Sequence, residues 1–349
     1  MPKISFTDHF GVQDYFHSRK NVVNFLCRTA VLLSLLLASG CSDLSSSARS
    51  GELRIAINPW PGYSVMYLAE ELGYFRDEGL NIRLIELASL ADTRRVFEHG
   101  QADLVCCTLV EVLMMNEAAG RDSIQCVGVF DYSNGSDMLL AMSKISSVKD
   151  LQGKRIGLEP ESVDGLSVYL ALKSAGLSIN DVTLVPLAQT EMVAALEKGL
   201  VDAVQTYPPT SEAVEKVAGV HAVWDSSHAP ETILDVLGAN PELLAAQPDS
   251  VRSILQACKR AQHFHRKFPN ESMQILSRRC RLSEQELVRF FNGIKTLAGD
   301  DPETYRIFQP EGATQVTTRI AEGLVATGML RDIPPNPPFD GRFVEFPKP

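Results

Sequence analysis

The sequence predicts an α/β protein with two lobes, a ligand cleft between them and a helical C-terminal segment. Between residues 53 and 130, short apolar or alternating strands are interleaved with helical stretches. The same alternation restarts near residue 145 and continues to about residue 230, and the pattern beyond residue 233 is mainly helical. Strands that alternate with helices at this spacing indicate mostly parallel sheets with helices on both faces.

The first α/β block contains four predicted strands separated by three predicted helices. Gly73 and Gly100 mark helix ends, and Gly79 precedes the second strand, as expected of a residue that readily adopts a left-handed conformation. The predicted strands cover residues 53–57, 81–87, 103–107 and 124–130, and the predicted helices cover residues 67–75, 91–98 and 110–119.

The second block repeats this pattern before the chain becomes helical. Its predicted strands cover residues 155–158, 182–187, 201–205 and 220–224, and its predicted helices cover 162–175 and 191–197. Further helices are predicted at 248–268, 272–278, 283–297 and 315–327, and the proline-rich end at 334–349 is expected to run extended along the surface. We therefore assign residues 51–139 and 236–349 to a first lobe and residues 140–235 to a second.

The N-terminus is predicted to be an export signal and not part of the fold. Basic residues precede an apolar run at residues 30–38, and Ser39, Gly40 and Cys41 follow it. The run is shorter than the roughly 20 residues that span a bilayer, and this arrangement is typical of a secretory signal. It resembles a bacterial lipoprotein signal, which implies a signal peptide at 1–40, lipidation of Cys41 and a serine-rich tether at 41–50. The alternative is a plain export signal that is cleaved elsewhere.

Composition excludes several classes of protein. The chain has 349 residues, of which 45% are hydrophobic and 22% are charged, as in soluble globular proteins. Its net charge of −10 lacks the basic footprint that nucleic acid requires. The cysteines show no metal-binding spacing, so no metal or other cofactor is predicted. Cys106, Cys107 and Cys126 are expected in the core, and a bridge between Cys258 and Cys280 stays open.

The loops that follow predicted strands should line the cleft, because ligands of open parallel sheets bind beyond the carboxyl ends of the strands. Trp60 and Tyr63 follow the first strand in a stiff Pro- and Gly-rich turn that can present rings for stacking; the alternative for Trp60 is core packing. Ser89 and Asp92 follow the second strand and Thr108 follows the third. Each can cap a helix, and free N–H groups beside a cap can hold an anion.

A polar segment at residues 131–137 follows the fourth predicted strand and lies between two apolar runs. Polar side chains near a core are unfavourable in a mere connector. We therefore predict that Asp131, Ser133 and Asn134 contact the ligand. The alternative is an exposed hairpin turn, which the dipeptide Asn134-Gly135 favours.

Two segments of the second block complete the predicted site. Glu161 and Ser162 precede a helix, where Ser162 can serve as the cap, and Tyr207 follows a strand. The predicted roles are stacking for Trp60 and Tyr63, hydrogen bonding near helix starts for Ser89, Thr108 and Ser162, and setting of polarity for Asp131, Asn134 and Glu161.

Six motifs occur in order along the chain. They are WPGYSVMYLAEELGYF at 60–75, GLNI at 79–82, GQADL at 100–104, DYSNGSD at 131–137, LQGKRIG at 151–157 and VDAV at 201–204. Together they resemble periplasmic substrate-binding proteins of the nitrate, sulfonate and taurine type, and the likeness extends from about residue 53 to 238. The resemblance implies a type II periplasmic binding protein fold, and a monomer that delivers a small solute to the permease of an ABC importer. Relatives commonly have Thr-Tyr-Glu-Pro where this chain has Thr-Tyr-Pro-Pro, so Pro208 replaces an acid.

The charge of the ligand stays open at this stage. The loops at 58–64 and 131–137 hold no Arg or Lys. A cation, or a neutral heteroaromatic or pyrimidine-like ring stacked on Trp60 or Tyr63, suits the acids near the cleft. A sulfonate or taurine-like ligand could instead bind helix N-termini without a basic side chain. The acids in question are Asp92, Asp131, Asp137, Glu159 and Glu161.

Two other functions compete with transport. One is ligand sensing, in which the closed lobes dock on a membrane signalling protein. Adjacent permease and ATPase genes would favour transport, whereas a kinase or cyclase gene would favour sensing.

The other is synthesis of the thiamine pyrimidine, since the enzymes that carry it out are related in fold. They carry a cysteine-rich iron-binding run, whereas Cys106-Cys107 is only a pair in an apolar strand. We therefore expect a non-enzyme in the periplasm or at the cell surface, anchored by lipid.

Overall fold

Strands occupy positions close to those predicted. A computed structural model describes residues 51–120 and 122–344, so the predicted signal, Cys41 and the tether lie outside the described residues. The strands are β1 (Glu52–Ile57), β2 (Asn81–Glu86), β3 (Leu104–Thr108), β4 (Gln125–Ser133), β5 (Met138–Met142), β6 (Arg155–Leu158), β7 (Thr183–Pro186), β8 (Ala203–Thr206), β9 (Val220–Asp225), β10 (Leu234–Ala239) and β11 (Ile294–Thr296).

Helices connect the strands and dominate the C-terminal part. They are α1 (Ser64–Glu71), α2 (Tyr74–Asp77), α3 (Leu90–Glu98), α4 (Leu109–Ala119), α5 (Asp164–Ser174), α6 (Met192–Glu197), α7 (Thr210–Glu215), α8 (Pro241–Ala246), α9 (Pro248–Lys267), α10 (Pro269–Cys280), α11 (Glu284–Asn292), α12 (Pro302–Phe308) and α13 (Pro310–Ala326). Within the described ranges, no helix is both long and apolar enough to cross a membrane.

The strands form two sheets, which confirms the predicted pair of α/β lobes. The sheet of the first lobe has the order β11-β4-β10-β3-β1-β2, and that of the second has the order β7-β6-β8-β5-β9. β1 is parallel to β2 and β3, whereas β10 is antiparallel to β3 and β4. In the second lobe, β6 is parallel to β7 and β8, and β5 is antiparallel to β8 and β9.

The chain crosses between the lobes twice, from β4 to β5 and from β9 to β10. Because β5 starts at residue 138 and β10 at residue 234, the lobe limits drawn at 139/140 and 235/236 each lie two residues inside a strand. The C-terminal helix α13 packs against α4 of the first lobe and α5 of the second. It therefore contacts both lobes away from the crossings.

Three local predictions were wrong. The helix predicted at 283–297 ends at Asn292, and Ile294–Thr296 form an edge strand on β4, because backbone pairing with that free edge outweighs local helical periodicity. β4 runs to Ser133 instead of ending at residue 130, since its last residues pair with β10 and β11. The helices α7, α8 and α12 and the strands β5 and β10 were not predicted, and β10 lies where the chain was expected to be helical.

The described cysteines contribute to packing and form no disulfide bonds. Cys106, Cys107 and Cys126 are buried, as predicted, and all described cysteines are free. The bridge left open between Cys258 and Cys280 is absent; Cys258 lies against Met66 with a sulfur–sulfur distance of 3.6 Å.

The core of the first lobe reaches across to the second. Val163, Leu166 and Tyr207 of the second lobe belong to the same buried cluster as the strands of the first sheet. The second lobe also has its own apolar clusters around Leu139 and Leu140. The lobes are thus in direct contact, and the ends of both sheets meet at that contact.

Candidate ligand-binding site

A small cavity lies where the two lobes meet. Its volume is about 10 Å³, on the order of one water molecule. It is lined by residues of both lobes and of both crossings, namely Asn58, Trp60, Tyr63, Leu90, Thr108, Asp137, Val163, Tyr207, Ile233 and Asp235. None of these ten is Lys or Arg. A ligand of several atoms therefore requires the lobes to separate before it can enter.

Three carboxylates converge where the strands of the first sheet end at the lobe contact. Asp131 on β4 and Asp235 on β10 are directly opposite each other in the antiparallel register, and Thr108 at the end of β3 is opposite Asp235 on its other side. Side chains at opposite positions of neighbouring strands lie side by side on one face, and like charges there repel. Asp137 follows in the crossing to the second lobe and is also buried.

Two aromatic residues of the first loop hold these carboxylates. The Trp60 Nε1–H donates to both oxygens of Asp131, at 3.2 Å each, and the Tyr63 hydroxyl donates to Asp235 Oδ1. The Trp60 ring also meets the ring of Tyr207 edge to face, with centroids 6.2 Å apart. Both predicted stacking residues thus line the cavity while they position acids, which sequence reasoning did not anticipate.

Burial makes these carboxylates hard to ionise. Burial raises the pKa of Asp137 to about 7, and the charge of Glu111 adds to the rise. The pKa of Asp131 is raised to about 8 by burial and by Asp137, against the hydrogen bond from Trp60. For Asp235, burial and the facing Asp131 raise the pKa well above its ordinary value. Desolvation disfavours the charged form, so a nearby cation would release protons from this cluster.

Several polar atoms of the cavity wall have no hydrogen-bond partner. They are Oδ2 of Asp137, Oδ2 of Asp235, and both side-chain atoms of Asn58. Each of these residues is only 1% exposed. A buried polar atom without a partner costs free energy comparable to a lost hydrogen bond. The wall therefore offers hydrogen-bonding capacity that the protein itself does not use.

The helix N-termini at the cleft are already satisfied by acids and hydroxyls of this chain. At α3, the Leu90 N–H donates to the Tyr207 hydroxyl at 3.1 Å and the Ala91 N–H donates to Glu159 Oε2 at 3.5 Å. Both acceptors come from the second lobe. The Tyr207 hydroxyl donates in turn to Glu159 Oε2 at 3.4 Å. The second lobe thus caps a helix of the first with a carboxylate.

Glu111 connects α4 and α5 in a similar way. Its Oε2 accepts from the Thr108 backbone N–H at 2.9 Å and from the Thr108 hydroxyl at 2.6 Å, which completes a capping box. Its Oε1 accepts from the Val163 N–H of the second lobe at 2.8 Å. Glu111 is fully buried, and burial raises its pKa. One side chain therefore caps a helix and ties the lobes together.

Hydroxyl groups organise the crossings beside the cavity. The Ser133 and Ser226 hydroxyl oxygens are 2.7 Å apart, which joins the crossing after β4 to the one after β9. The Asp137 N–H donates to Ser133 Oγ at 3.2 Å, and the Gly135 N–H donates to Ser226 Oγ at 2.7 Å. Asp137 thus stands both in a crossing and in the cavity wall, so its environment changes when the lobes move.

Most of the predicted site residues are buried at or near the lobe contact, and three are not. Ser89, Ser133 and Ser162 are buried close to it as helix caps or hydroxyl links. The three predicted residues whose side chains are not buried at the lobe contact are Asp92, which pairs with Arg95, and the exposed Asn134 and Glu161. The Glu161 side chain, which was predicted to set polarity, is exposed, and its carbonyl oxygen accepts from Arg94 at 3.3 Å.

Several polar residues at the lobe contact were missing from the predicted set. Asn58 directly follows β1, so its position beyond a strand end was an available signal. Glu111 was recognisable as the fourth residue of a Thr-x-x-Glu capping box. Nothing in the local pattern marked Asp235, because its strand runs antiparallel and presents its first residues, not its last, at the cleft.

Gly62 is a position where the backbone passes very close to Asp131. A Cβ atom there would lie 1.6 Å from Asp131 Oδ2. Gly62→Ala is therefore expected to displace Asp131 from Trp60 and to lower the free energy of unfolding by about 1–3 kcal/mol, measured by chemical denaturation. Gly299→Ala is the control, because no atom lies within 4 Å of its added Cβ. Equal losses in the two variants would contradict this account of Gly62.

Larger pockets lie outside the cavity, and two of them exceed 300 Å³. One of about 460 Å³ shares Trp60 with it and extends past Arg279 and Phe290; another of about 380 Å³ lies between α9 and β4. Neither is lined by any of the buried unpaired side-chain atoms found among the described residues. The lobe contact, not pocket size, therefore identifies the site.

A family model describes more than half of the chain. The model for NMT1/THI5-like proteins matches residues 60–272. The chain belongs to the NMT1/THI5-like family. A Brucella abortus chain named as a candidate binding protein is 25% identical over 252 residues, which is 69% of this chain and 75% of the relative. The 4-amino-5-hydroxymethyl-2-methylpyrimidine phosphate synthase of Aspergillus parasiticus is 26% identical over 227 residues, which is 58% of this chain and 62% of that enzyme.

Solved structures of similar proteins share the fold. The alkanesulfonate-binding protein SsuA of Xanthomonas axonopodis pv. citri, solved with MOPS bound, has a TM-score of 0.66 at 20% identity and covers 81% of this chain and 96% of its own. The periplasmic aliphatic sulphonate-binding protein SsuA of Escherichia coli has a TM-score of 0.64, also at 20% identity, over 81% of this chain and 94% of its own. The two-lobe binding-protein fold predicted from the sequence is confirmed.

Proposed function

We propose that this chain is the extracytoplasmic solute-binding component of an ABC importer and that it captures a small organic solute between its lobes. The observation that carries the proposal is the cavity at the lobe contact, whose wall combines residues of both lobes with buried polar atoms that lack partners. Membership of the NMT1/THI5-like family and the relatives named as binding proteins support it.

Capture works by lobe closure in this proposal. The solute enters between separated lobes, and the two crossings act as the hinge. Closure then forms direct contacts between lobes, such as Glu111 with Val163, Tyr207 with Leu90, and the ion pair of Arg289 with Glu212. A solute that fills the unpaired positions of the wall favours the closed arrangement, because it binds that arrangement better than the open one. The permease would recognise the surface that closure creates.

The proposal assigns binding and no reaction to the cleft. Cys106 and Cys107 are fully buried in β3, and burial raises the pKa of both thiols well above the ordinary value. A thiol in that state is a poor nucleophile and a poor metal ligand, because the thiolate is the reactive form. Among the described residues, no cluster of three or more His, Cys, Asp or Glu side chains is arranged to hold a metal ion.

The N-terminal sequence supports export and anchoring. We propose that residues 1–40 direct export, that Cys41 carries lipid and that the chain acts as a monomer tethered by residues 41–50. Tethering would keep the protein beside its permease in the periplasm or at the cell surface. Mass spectrometry of the membrane-extracted protein tests the anchor, since lipidation adds a diacylglycerol mass to a peptide that begins at Cys41.

A thermal-shift screen of the full-length protein tests solute capture. The panel contains nitrate, taurine, alkanesulfonates, thiamine-pyrimidine precursors, riboflavin, nucleobases and amines. A solute at a hundred times its Kd is expected to stabilise the protein by about 2.7 kcal/mol. Trp60→Phe keeps most of the ring volume but removes the donor to Asp131, and it is expected to weaken binding of the hit about tenfold. A panel in which no compound changes the melting temperature would contradict the proposal.

A further inference from the structure

We propose that the captured solute carries a positively charged nitrogen, a primary ammonium or an amidinium group, which binds against Asp137, Asp235 and Asn58. This inference rests on the proposed function and names the charge class of the solute. It excludes anionic solutes, such as the alkanesulfonates of the structural relatives, from this cleft.

The first argument is that buried acids gather at the cavity without a basic partner in its wall. Asp131 and Asp235 face each other across neighbouring strands, and Asp137 contributes to the rise in the pKa of both. No Lys or Arg lines the cavity. Buried charges are normally paired or bound to a counter-ion. A bound cation would favour the ionised forms of these acids, whereas a sulfonate would disfavour ionisation and find no positive partner in the wall.

The second argument is the chemistry of the unpaired atoms. Two of them are carboxylate oxygens, Oδ2 of Asp137 and Oδ2 of Asp235, and both residues are nine-tenths or more buried. Carboxylate oxygens accept hydrogen bonds, and an ammonium group offers three donors and no acceptor. The Asn58 amide, whose side-chain oxygen and nitrogen are both unpaired, can accept from the same group or donate to an adjacent oxygen of the solute.

The third argument is that the donors an anion would need are already engaged. An anion without a basic partner binds to helix N-termini. At α3, Tyr207 and Glu159 accept from the backbone N–H groups of Leu90 and Ala91. The carboxylate of Glu111 serves α4 and the Val163 N–H that precedes α5. To bind, a sulfonate would have to displace carboxylates of the protein that remain nearby.

The remaining wall suits an organic body behind the charged group. Leu90, Val163 and Ile233 supply apolar surface, and the Trp60 and Tyr207 rings lie beside it. Metal cations prefer several oxygen ligands at fixed distances, and the described residues contain no such cluster. An organic cation with a small apolar group therefore fits the wall better than a bare metal ion.

Proton release is an independent signature of this mode of binding. The acids that line the cavity are Asp137 and Asp235. Asp131, Glu111, Glu159 and Asp164 are buried around them, and burial raises the pKa of all six. A bound cation favours their charged forms. Calorimetry in two buffers with different ionisation enthalpies should show that amine binding at pH 7 releases protons, whereas an anion would take them up.

The test uses matched solutes that differ in the charged group. Thermal shift and calorimetry are run on the full-length protein with benzylamine, benzyl alcohol and phenylmethanesulfonate, and again with butylamine, butanol and butanesulfonate. An amine is expected to bind at least tenfold more tightly than its alcohol, with no shift from its sulfonate. Asp137→Asn and Asp235→Asn keep the side-chain shape and are each expected to weaken amine binding at least tenfold. Asp249→Asn, an exposed acid on α9 that pairs with Arg252, is the control.

Each outcome separates this inference from the proposed function. Amine binding that Asp137→Asn or Asp235→Asn weakens, and Asp249→Asn leaves unchanged, supports the inference. A shift from the sulfonates but not the amines overturns it and leaves solute capture standing. Equal binding of amine and alcohol, or a shift from calcium chloride as large as that from the amine, also overturns it. No shift from any of these compounds overturns it too, and the broader solute panel then decides whether capture itself fails.

Discussion

Raising the pH from 5 to 8 is expected to lower the free energy of unfolding by at least about 3 kcal/mol when no solute is added. Burial raises the pKa of Asp137 from 3.8 to about 7. Between these values the folded protein keeps the proton and the unfolded chain loses it. Stability is therefore fully present below pH 3.8 and is lost progressively as the pH rises to 7. One pH unit corresponds to about 1.4 kcal/mol, so the two units between pH 5 and 7 give about 3 kcal/mol from Asp137 alone.

Other groups modify this profile in known directions. The pKa values of Asp131 and Asp235 are also raised by burial, so they steepen the loss. His265 opposes this loss of stability, because burial lowers its pKa below 6.5 and its contribution to stability grows as the pH rises to that value.

The measurement is urea denaturation at half-unit pH intervals. Asp137→Asn should flatten the profile and raise stability at pH 8, whereas Asp249→Asn should leave the slope unchanged. A wild-type profile that rises from pH 5 to 8 would refute the assignment.

Glu111→Ala is expected to cause the largest loss among single substitutions at the lobe contact. The variant leaves the Val163 N–H, the Thr108 N–H and the Thr108 hydroxyl without their acceptor. Each buried donor left unpaired costs about 1–3 kcal/mol, so a loss of about 3 kcal/mol or more in unfolding free energy is expected. Because one of these donors belongs to the second lobe, we also expect a larger radius of gyration in X-ray scattering.

The chain offers a matched control for this experiment. Glu286 completes a capping box with Ser283 at the start of α11, as Glu111 does with Thr108 at α4. Its contacts stay within that one box, and it is more accessible to solvent than Glu111. Glu286→Ala should therefore lower the melting temperature much less and leave the radius of gyration unchanged. Similar effects in both variants would mean that Glu111 acts only as a helix cap.

The fold was largely predictable because strand and helix periodicities repeat in two separate blocks. Apolar strands such as Leu104–Thr108 and capped helices such as Leu90–Glu98 carry local signals that agree with the final structure. β11 was not predictable in this way. Gly293 ends the preceding helix and was an available stop signal, but Ile294–Thr296 are a strand because they pair with the edge of β4.

The candidate site was predictable only for those residues that come directly after a strand in the sequence. Trp60, Tyr63, Thr108 and Tyr207 come after strands and line the cavity. Asp235 lies at the start of an antiparallel strand, so only the sheet order brings it beside Asp131. The local sequence pattern also could not show which of Glu159 and Glu161 lies at the lobe contact. Glu161 has a positive backbone φ of 59°, and its side chain is exposed.

The most direct test of solute capture at the lobe contact is a crystal structure of the protein with benzylamine. We expect the amine between the two lobes, with its nitrogen within hydrogen-bond distance of the carboxylates of Asp137 and Asp235, and its ring beside Trp60. Benzylamine bound only in the 460 Å³ pocket past Arg279, or elsewhere outside the lobe contact, would contradict the account.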